Sequence, residues 1–319
     1  MIRAFILRLA YFALPLLIVG GFGDIILSST LKKSKTFASG EYSAWNDLYQ
    51  GKINHDIVIY GSSRAVVQID PRIIEDSLQR SCYNLGIDGH NFWLQHFRHK
   101  ELLRYNARPK VVIHSLDVTT LTERGDLFNS DQFLPYMLFD ESIQSNINDY
   151  NFFSTWDFKV PMIRFLGKGR AMLHAAKLLF RRQPDSVGRM NGYQAQRQAW
   201  NADLEIARKK LSTYTIEPDS NALNLFRNYL KECHGQGISI ILVYTPQYIE
   251  GQHFIQNKES ILNIYRSIAH DYDIPFLDYS DDPICQSNVF FYNSGHLNKD
   301  GSALFTRKLS HDLRAYLDK

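Results

Sequence analysis

A run of apolar residues that ends at a pair of serines constrains this chain most. Ile57–Tyr60 are β-branched or aromatic, as in a strand buried on both faces, and Gly61-Ser-Ser-Arg64 follows directly. Gly61 lets the backbone leave the strand sharply, so Ser63 is expected at the turn or on the first residues of the next helix. There it would lie beside helix N–H groups that stabilise negative charge. Capping the helix is the commoner role for Ser62 or Ser63, so this stretch alone does not predict a nucleophile.

Strands and helices alternate along most of the chain. Further buried strands are predicted at residues 82–86, 110–117, 238–245 and 274–279, with amphipathic segments between them. This alternation predicts an α/β fold: a flavodoxin-like three-layer sandwich with a five-stranded parallel sheet. In such sheets ligands bind outside the carboxyl ends of the strands.

Three other regions complete the predicted organisation. Residues 1–30 are expected to form a signal anchor or transmembrane segment, and the polar residues 31–55 a linker. The α/β domain is then expected at 56–319, with a helical insertion at about 121–215, where the alternation breaks down.

The N-terminal segment indicates where in the cell the protein is expected. Arg3 and Arg8 precede the apolar run, and Asp24 interrupts it. A cleaved signal peptide and an uncleaved anchor are both open, and the lack of a small-x-small cleavage site favours the anchor. The flanking arginines predict a cytoplasmic N-terminus and a periplasmic or extracellular domain, although lysines at 32, 33 and 35 weaken the charge asymmetry.

Composition excludes several classes of function. A net charge of +3 over 319 residues is too small to predict a nucleic-acid partner. Cys82, Cys233 and Cys285 are odd in number and widely spaced, so neither a disulfide framework nor a zinc site is indicated. No metal or other cofactor is expected.

Three motifs together resemble the SGNH/GDSL hydrolase superfamily, especially its membrane-anchored branch of polysaccharide and cell-wall O-acyl enzymes. They are Gly-Ser-Ser-Arg at 61–64, Asn-Leu-Gly at 84–86 and Tyr-Asn-Ser-Gly-His-Leu-Asn at 292–298. The resemblance covers roughly residues 56–117 and 238–317. It implies that Ser63 is the nucleophile and His296 the general base, with the N–H groups of Ser63 and Gly86 forming the oxyanion hole.

The chain departs from the family at two positions. Asn293 stands where the family has an Asp that orients the histidine, and a neutral amide stabilises an imidazolium less than a carboxylate does. Three alternatives stay open: a dyad oriented by a backbone carbonyl, another acid such as Asp281 or Asp282, or a site without hydrolytic activity. Asp117 stands near the place of an oxyanion-binding Asn, where an ionised carboxylate would repel an oxyanion; a helix cap or a loop acceptor is the other interpretation.

Three further residues are candidates for substrate binding or support. Arg64 could bind an anionic group or form a salt bridge with Asp70 or Glu75, and Asn84 could brace the serine turn. His90 follows Gly86 closely enough to be kept as a candidate.

The resemblance and the N-terminal segment together imply a function. We expect an extracytoplasmic, membrane-anchored esterase or O-acyltransferase acting on acyl esters, most simply acetyl, of a surface or exported glycan. Its expected partners are the membrane and the glycan. The alternative is a catalytically impaired SGNH-fold protein that binds glycan or scaffolds an envelope assembly.

Overall fold

A computed structural model of the chain describes residues 2–181, 188–210 and 213–317. The chain divides into two compact units. Unit 1 combines Met1–Asn46 with Gly125–Gly188, and unit 2 combines Asp47–Arg124 with Arg189–Lys319.

The elements are numbered in chain order. The strands are β1 Ile57–Tyr60, β2 Cys82–Asn84, β3 Val111–Leu116, β4 Ser239–Tyr244, β5 Phe276–Asp278, β6 Phe291–Asn293 and β7 His296–Leu297. The α-helices are α1 Ile2–Leu31, α2 Glu41–Tyr49, α3 Ser63–Gln68, α4 Pro71–Leu78, α5 Phe92–Tyr105, α6 Glu141–Ile147, α7 Thr155–Lys159, α8 Gly169–Arg181, α9 Asp203–Lys210, α10 Ser220–Gly235, α11 Ile249–Gln252, α12 Lys258–Asp271 and α13 Lys299–Leu317.

Unit 2 is built on a five-stranded parallel sheet in the order β2-β1-β3-β4-β5. This is the flavodoxin-like order, so the predicted fold class is confirmed. The predicted strands each contain one observed strand, shorter by one or more residues at its ends in most cases. The order places the ends of β1 and β3 side by side at one edge, which is where the serine turn lies.

Helices cover both faces of the sheet because alternate strand residues are apolar on both sides. On one face, Ile57, Ile59 and Ile113 pack in a core that includes Phe305 and Leu309 of α13. On the other face lie Tyr60 and His114 together with aromatic side chains of α5 and α10. The result is the predicted three-layer arrangement.

The segment before α13 differs from the expected loop. Strands β6 and β7 form a small antiparallel hairpin in which Asn293 is paired with His296. Phe291 and Leu297 are fully buried in the core next to α13, which fixes the hairpin to the domain. Two side chains of the predicted site are therefore held opposite each other by a strand pair.

Unit 1 contains the long N-terminal helix α1. Its segment Tyr11–Leu31 is long and apolar enough to cross a membrane or to act as a signal sequence. The end of the helix belongs to a small apolar core, in which Leu31 packs with Tyr42, Leu134 and Phe165.

The structure differs from the expected domain boundaries in two places. Residues 31–55 were expected as a linker, yet α2 lies within them, because Tyr42 and Trp45 are buried and Trp45 Nε1 donates a hydrogen bond to Gln132 Oε1. Of the expected insertion at 121–215, residues 125–188 join unit 1 and residues from 189 onward belong to unit 2. Apolar side chains from two segments that are separated in the sequence, 1–46 and 125–188, thus build a second core.

Candidate active site

The structure brings together the two residues that the sequence motifs single out. Ser63 Oγ lies 2.7 Å from His296 Nε2. Ser63 is the first residue of α3, so its own N–H has no acceptor within the helix. Gly61, with φ of 147°, makes the tight turn possible, since a Cβ at this position would lie 2.7 Å from the Ser115 carbonyl oxygen.

The cap of α3 is provided by the neighbouring serine. Ser62 Oγ accepts a hydrogen bond from the Arg64 N–H at 3.3 Å and donates one to Asp117 Oδ2 at 2.6 Å. The capping role that the sequence allowed for either serine therefore falls to Ser62, which leaves the Ser63 hydroxyl to His296.

Asn293 orients the imidazole. Its Oδ1 lies 2.9 Å from His296 Nδ1 and accepts a hydrogen bond from the Gly295 N–H at 3.0 Å. Because the Gly295 N–H can only donate, the Asn293 amide oxygen and not the amide nitrogen faces the ring. Nδ1 must then carry the proton, and Nε2 presents its lone pair to the Ser63 hydroxyl. This is the tautomer that a general base requires.

The imidazole is held in its neutral form. Burial, and then the positive charge of Arg64, lower the pKa of His296 to about 4, while the negative charge of Asp117 opposes this shift. At neutral pH His296 is therefore a proton acceptor, with the neutral amide of Asn293 at its Nδ1.

The alternative acids have other partners. Asp282 Oδ1 accepts a hydrogen bond from the Ile284 N–H, and its other oxygen pairs with Lys308. The Asp281 side chain is 87% exposed and lies 4.0 Å from the Lys258 ammonium. Asn293 thus occupies the orienting position itself.

Asp117 acts as a loop acceptor. Its Oδ1 receives hydrogen bonds from the Thr119 N–H at 2.8 Å and the Thr119 hydroxyl at 2.7 Å. Its other oxygen holds Ser62, so the carboxylate fastens the end of β3 to the start of α3. This geometry supports the second of the two interpretations that the sequence left open.

Gly86 was expected to contribute its N–H to the oxyanion hole. This N–H donates to Asn84 Oδ1 at 3.0 Å, so an oxyanion at Gly86 would have to compete with this side-chain oxygen. A Cβ at Gly86 would lie 2.9 Å from Ala65 Cβ and 3.0 Å from Val66 Cγ2. Close packing against α3 is therefore what requires a glycine here.

Asn84 links the end of β2 to the serine helix. Its Nδ2 donates to the carbonyl oxygens of Ala65 at 2.7 Å and Ile69 at 2.9 Å. The side chain is fully buried, so these bonds tie the end of β2 to the C-terminal part of α3.

Arg64 and His90 are both buried. The Arg64 guanidinium donates to the Thr245 carbonyl oxygen and lies 4.9 Å from the centre of the Tyr244 ring. With 5% of its surface exposed, it fits a supporting role better than binding of a substrate anion, and Asp70 pairs with Arg72 instead. The His90 carbonyl accepts a hydrogen bond from Gln95.

Two residues at the site were not found from the sequence. The Tyr292 ring stacks on the His296 imidazole with centroids 5.4 Å apart and an interplanar angle of 19°. Gln68 Nε2 donates to the Gly295 carbonyl at 3.1 Å and the Pro246 carbonyl at 3.2 Å, so α3 holds the histidine hairpin. The place of Tyr292 within the third motif was a usable signal, whereas nothing local marks Gln68.

A cavity of about 540 Å³ is lined by residues that precede and follow the histidine hairpin in the chain, and neither Ser63 nor His296 is among its lining residues. Trp200 lines it, together with polar residues at 196–198 and 298–300. This segment is attached to the hairpin, because the Asn201 N–H donates to the Tyr292 carbonyl at 2.9 Å and the Lys299 N–H to the Gln196 carbonyl at 2.7 Å. Among the described residues, no group of three His, Cys, Asp or Glu side chains could hold a metal ion.

Comparisons with known proteins give structural neighbours only. No protein-family model and no curated protein matches the chain. An acetyl xylan esterase structure is 12% identical in sequence to this chain and has a TM-score of 0.41. The match covers 82% of this chain and 99% of the esterase chain. A GDSL-like lipase from Bacteroides thetaiotaomicron is 12% identical, covers 80% of this chain and 87% of its own, and has a TM-score of 0.35. At these values the resemblance carries no argument about activity, so the site geometry has to support any functional assignment.

Proposed function

We propose that this chain is a serine-dependent ester hydrolase or O-acyltransferase of the SGNH type. One observation carries the proposal: a continuous chain of contacts from Ser63 Oγ through both ring nitrogens of His296 to Asn293 Oδ1, with distances of 2.7 and 2.9 Å. A nucleophile, its base and the group that orients the base are the minimum that acyl transfer needs.

The geometry supports a two-step reaction. His296 Nε2 takes the Ser63 proton as Oγ attacks the acyl carbonyl, and the resulting oxyanion forms beside the Ser63 N–H at the start of α3. As the C–O bond to the alcohol breaks, the imidazolium protonates the leaving alcohol, which departs and leaves the acyl group on Ser63 Oγ. Water or a sugar hydroxyl, deprotonated by the same nitrogen, attacks this ester and restores Ser63.

The neutral Asn293 has a cost in this scheme. It holds the correct tautomer, but it stabilises the imidazolium less than a carboxylate would, so we expect slow turnover compared with a full triad. The charge of Asp117 partly compensates, since it favours the protonated form of His296.

An acylated glycan is the proposed substrate. The cavity of about 540 Å³ combines the Trp200 ring with amide, carboxylate and cationic side chains, a mixture suited to a sugar ring with its hydroxyls. An acetyl ester on a surface or exported glycan is the simplest substrate of this class.

The proposed location is the outer side of a membrane. Helix α1 is long and apolar enough to anchor the chain. Arg3 and Arg8 precede the apolar run, which favours a cytoplasmic N-terminus and an exported unit 2.

Hydrolysis assays with two esters test this function. The purified chain is given p-nitrophenyl acetate and acetylated xylan, and acetate release is compared with that of Ser63→Ala. We expect both activities to be lost in Ser63→Ala and only the xylan activity to fall strongly in Trp200→Leu, provided that this variant melts near the wild-type temperature. Activity of Ser63→Ala equal to wild type would exclude the proposed nucleophile.

The alternative is a catalytically impaired protein that binds glycan or scaffolds an envelope assembly. Asn293 is the observation that favours it, because the orienting carboxylate of the family is missing. An Asn293→Asp variant that hydrolyses esters while the wild type does not would support this alternative.

A further inference from the structure

Helix α1 changes character at Asp24. Before this point its large apolar side chains are exposed, with Tyr11 at 80% and Phe22 at 66%. From this point onward one side of the helix is buried, and Asp24 and Leu31 are 3% and 0% exposed. The apolar half of α1 therefore extends from unit 1, while the following half is part of the interior of unit 1.

The buried half is fixed by an ion pair. Asp24 receives hydrogen bonds from Arg164 Nη1 at 2.8 Å and Nη2 at 2.6 Å, from the Met162 N–H at 2.8 Å and from the Ser28 hydroxyl at 3.2 Å. Both charged side chains are almost fully buried. Cleavage of α1 beyond Asp24 would leave the Arg164 guanidinium buried without its counter-charge.

Part of unit 1 reaches along the exposed half of α1. A Cβ at Gly23 would lie 3.7 Å from Met162 Sδ, and one at Gly20 4.0 Å from Met162 Cγ. Met162 thus extends about one helical turn beyond Asp24 toward the apolar segment.

Exposed apolar and cationic side chains precede and follow Met162 in the sequence. Trp156 on α7 is 67% exposed and Leu166 is 72% exposed, and Lys159 at the end of α7 is also exposed. Helix α7 packs against the short 3-10 helix Ile163–Phe165, which holds Arg164. We call Trp156, Lys159, Met162 and Leu166 the interfacial edge of unit 1.

The chemistry of the interfacial edge fits a lipid surface. Tryptophan is favoured at the headgroup level of membranes, and a lysine close to it can reach anionic headgroups. Met162 lies beside Gly23 and Gly20 of the apolar helix of membrane-spanning length, so a bilayer that contained this helix would meet the edge at Met162.

We propose that α1 is retained as an anchor and that the interfacial edge of unit 1 rests in the headgroup layer of the bilayer. The Asp24–Arg164 pair then marks the level at which the helix leaves the membrane. The full chain, reconstituted in liposomes, tests this through tryptophan fluorescence with phospholipids brominated near the headgroup or deep in the acyl chains.

We expect the shallow bromines to quench the wild-type protein more than the deep ones, and this quenching to disappear in Trp156→Phe. The matched control is Trp93→Phe, which removes a tryptophan of unit 2 that is 38% exposed and should keep the quenching. If the wild-type protein is not quenched, or if the quenching persists in Trp156→Phe, the interfacial edge does not lie in the headgroup layer.

The mass of the chain extracted from membranes tests the retention of α1. We expect a species that still contains Asp24 and the apolar segment before it. A mature N-terminus located after Asp24 would contradict the proposal, and this result is independent of whether the enzyme is active.

Discussion

Ser63 Oγ and His296 Nε2 lie 2.7 Å apart although 233 positions separate them in the chain. The distance is within the range needed for direct proton transfer. Two separate devices produce it: α3 starts at the end of β1, and the β6–β7 hairpin is held to α3 by Gln68. Two elements that are distant in sequence thus position the serine and the histidine.

The pH dependence of Ser63 reactivity reports on His296. Its pKa is lowered to about 4 by burial and the charge of Arg64, so the neutral, proton-accepting form persists above that pH. We expect the rate of reaction with a fluorophosphonate to be flat from pH 8 to about pH 5.5 and to fall as the pH drops through about 4. A decline centred near pH 6.5, the ordinary histidine value, would contradict this environment.

Replacing Asn293 separates orientation from charge. In Asn293→Asp a carboxylate faces Nδ1, which raises the pKa of His296 by roughly 1–3 units and shifts the acid limit of reactivity upward by the same amount. In Asn293→Leu the Nδ1 proton loses its acceptor, and we expect the rate to fall by about 10²-fold or more. Measured pH–rate profiles of both variants check this; equal rates for wild type and Asn293→Leu would show that Asn293 does not orient the imidazole.

Gly86→Ala should act through stability. The added Cβ would meet the side chains of Ala65 and Val66 at 2.9 and 3.0 Å, so the free energy of unfolding should fall by about 1–3 kcal/mol. Gly235→Ala is the matched control, because its Cβ would enter open space at the end of α10. Denaturant unfolding measures both. A Gly86→Ala protein of wild-type stability that has lost only its activity would instead favour an oxyanion role for this glycine.

Three buried histidines should make the fold sensitive to acid. Burial lowers the pKa of His96 to about 4 and those of His99 and His114 to about 3, in an aromatic cluster between β3, α5 and α10. The unfolded chain binds protons near pH 6.5 and the folded chain does not, so stability is complete above pH 6.5 and is lost as the pH falls toward the folded values. Each histidine contributes a slope of about 1.4 kcal/mol per pH unit in that window.

Unfolding measured between pH 7 and 4.5 checks this slope. His96→Gln should lower the number of protons taken up on unfolding by about one, and the slope should fall accordingly. His270→Gln serves as the control, because the His270 side chain is 91% exposed. An identical slope in wild type and His96→Gln would contradict the buried neutral state of His96.

The Asp24–Arg164 pair predicts a non-additive effect in unit 1. Asp24→Leu leaves a buried guanidinium without its carboxylate and should destabilise unit 1 by about 3–5 kcal/mol. Asp24→Leu combined with Arg164→Leu removes both charges and should cost less than the first change alone. Proteolysis-monitored unfolding of the detergent-solubilised chain distinguishes the two outcomes, and simple additivity would argue against a coupled pair.

The sheet could be predicted from the sequence because its strands carry local signals. Ile57–Tyr60 and the strand near 239–244 are continuous β-branched and aromatic runs, which few other structures accommodate. The same pattern placed Ser63 and His296 near the carboxyl ends of strands. Their roles as nucleophile and base were implied only by the resemblance of the motifs around them.

Other features depend on contacts between distant parts of the chain. Unit 1 is built from two segments that carry no shared pattern, so the burial of Trp45 against Gln132 could not be read from either. The Gly86 N–H was assigned by resemblance, whereas the Asn84 side chain two residues earlier takes it. Likewise, the tautomer of His296 depends on the Gly295 N–H, a backbone group that no side-chain motif records.

Labelling with a serine-directed fluorophosphonate, followed by mapping of the modified peptide, tests the central claim most directly. Ser62 is the matched control, because it is adjacent to Ser63 but donates to Asp117 instead of His296. We predict that wild type and Ser62→Ala are labelled on Ser63 at pH 7 and that Ser63→Ala is not labelled. Labelling that is unchanged in Ser63→Ala, or absent from a folded wild-type protein, would contradict a Ser63 activated by His296.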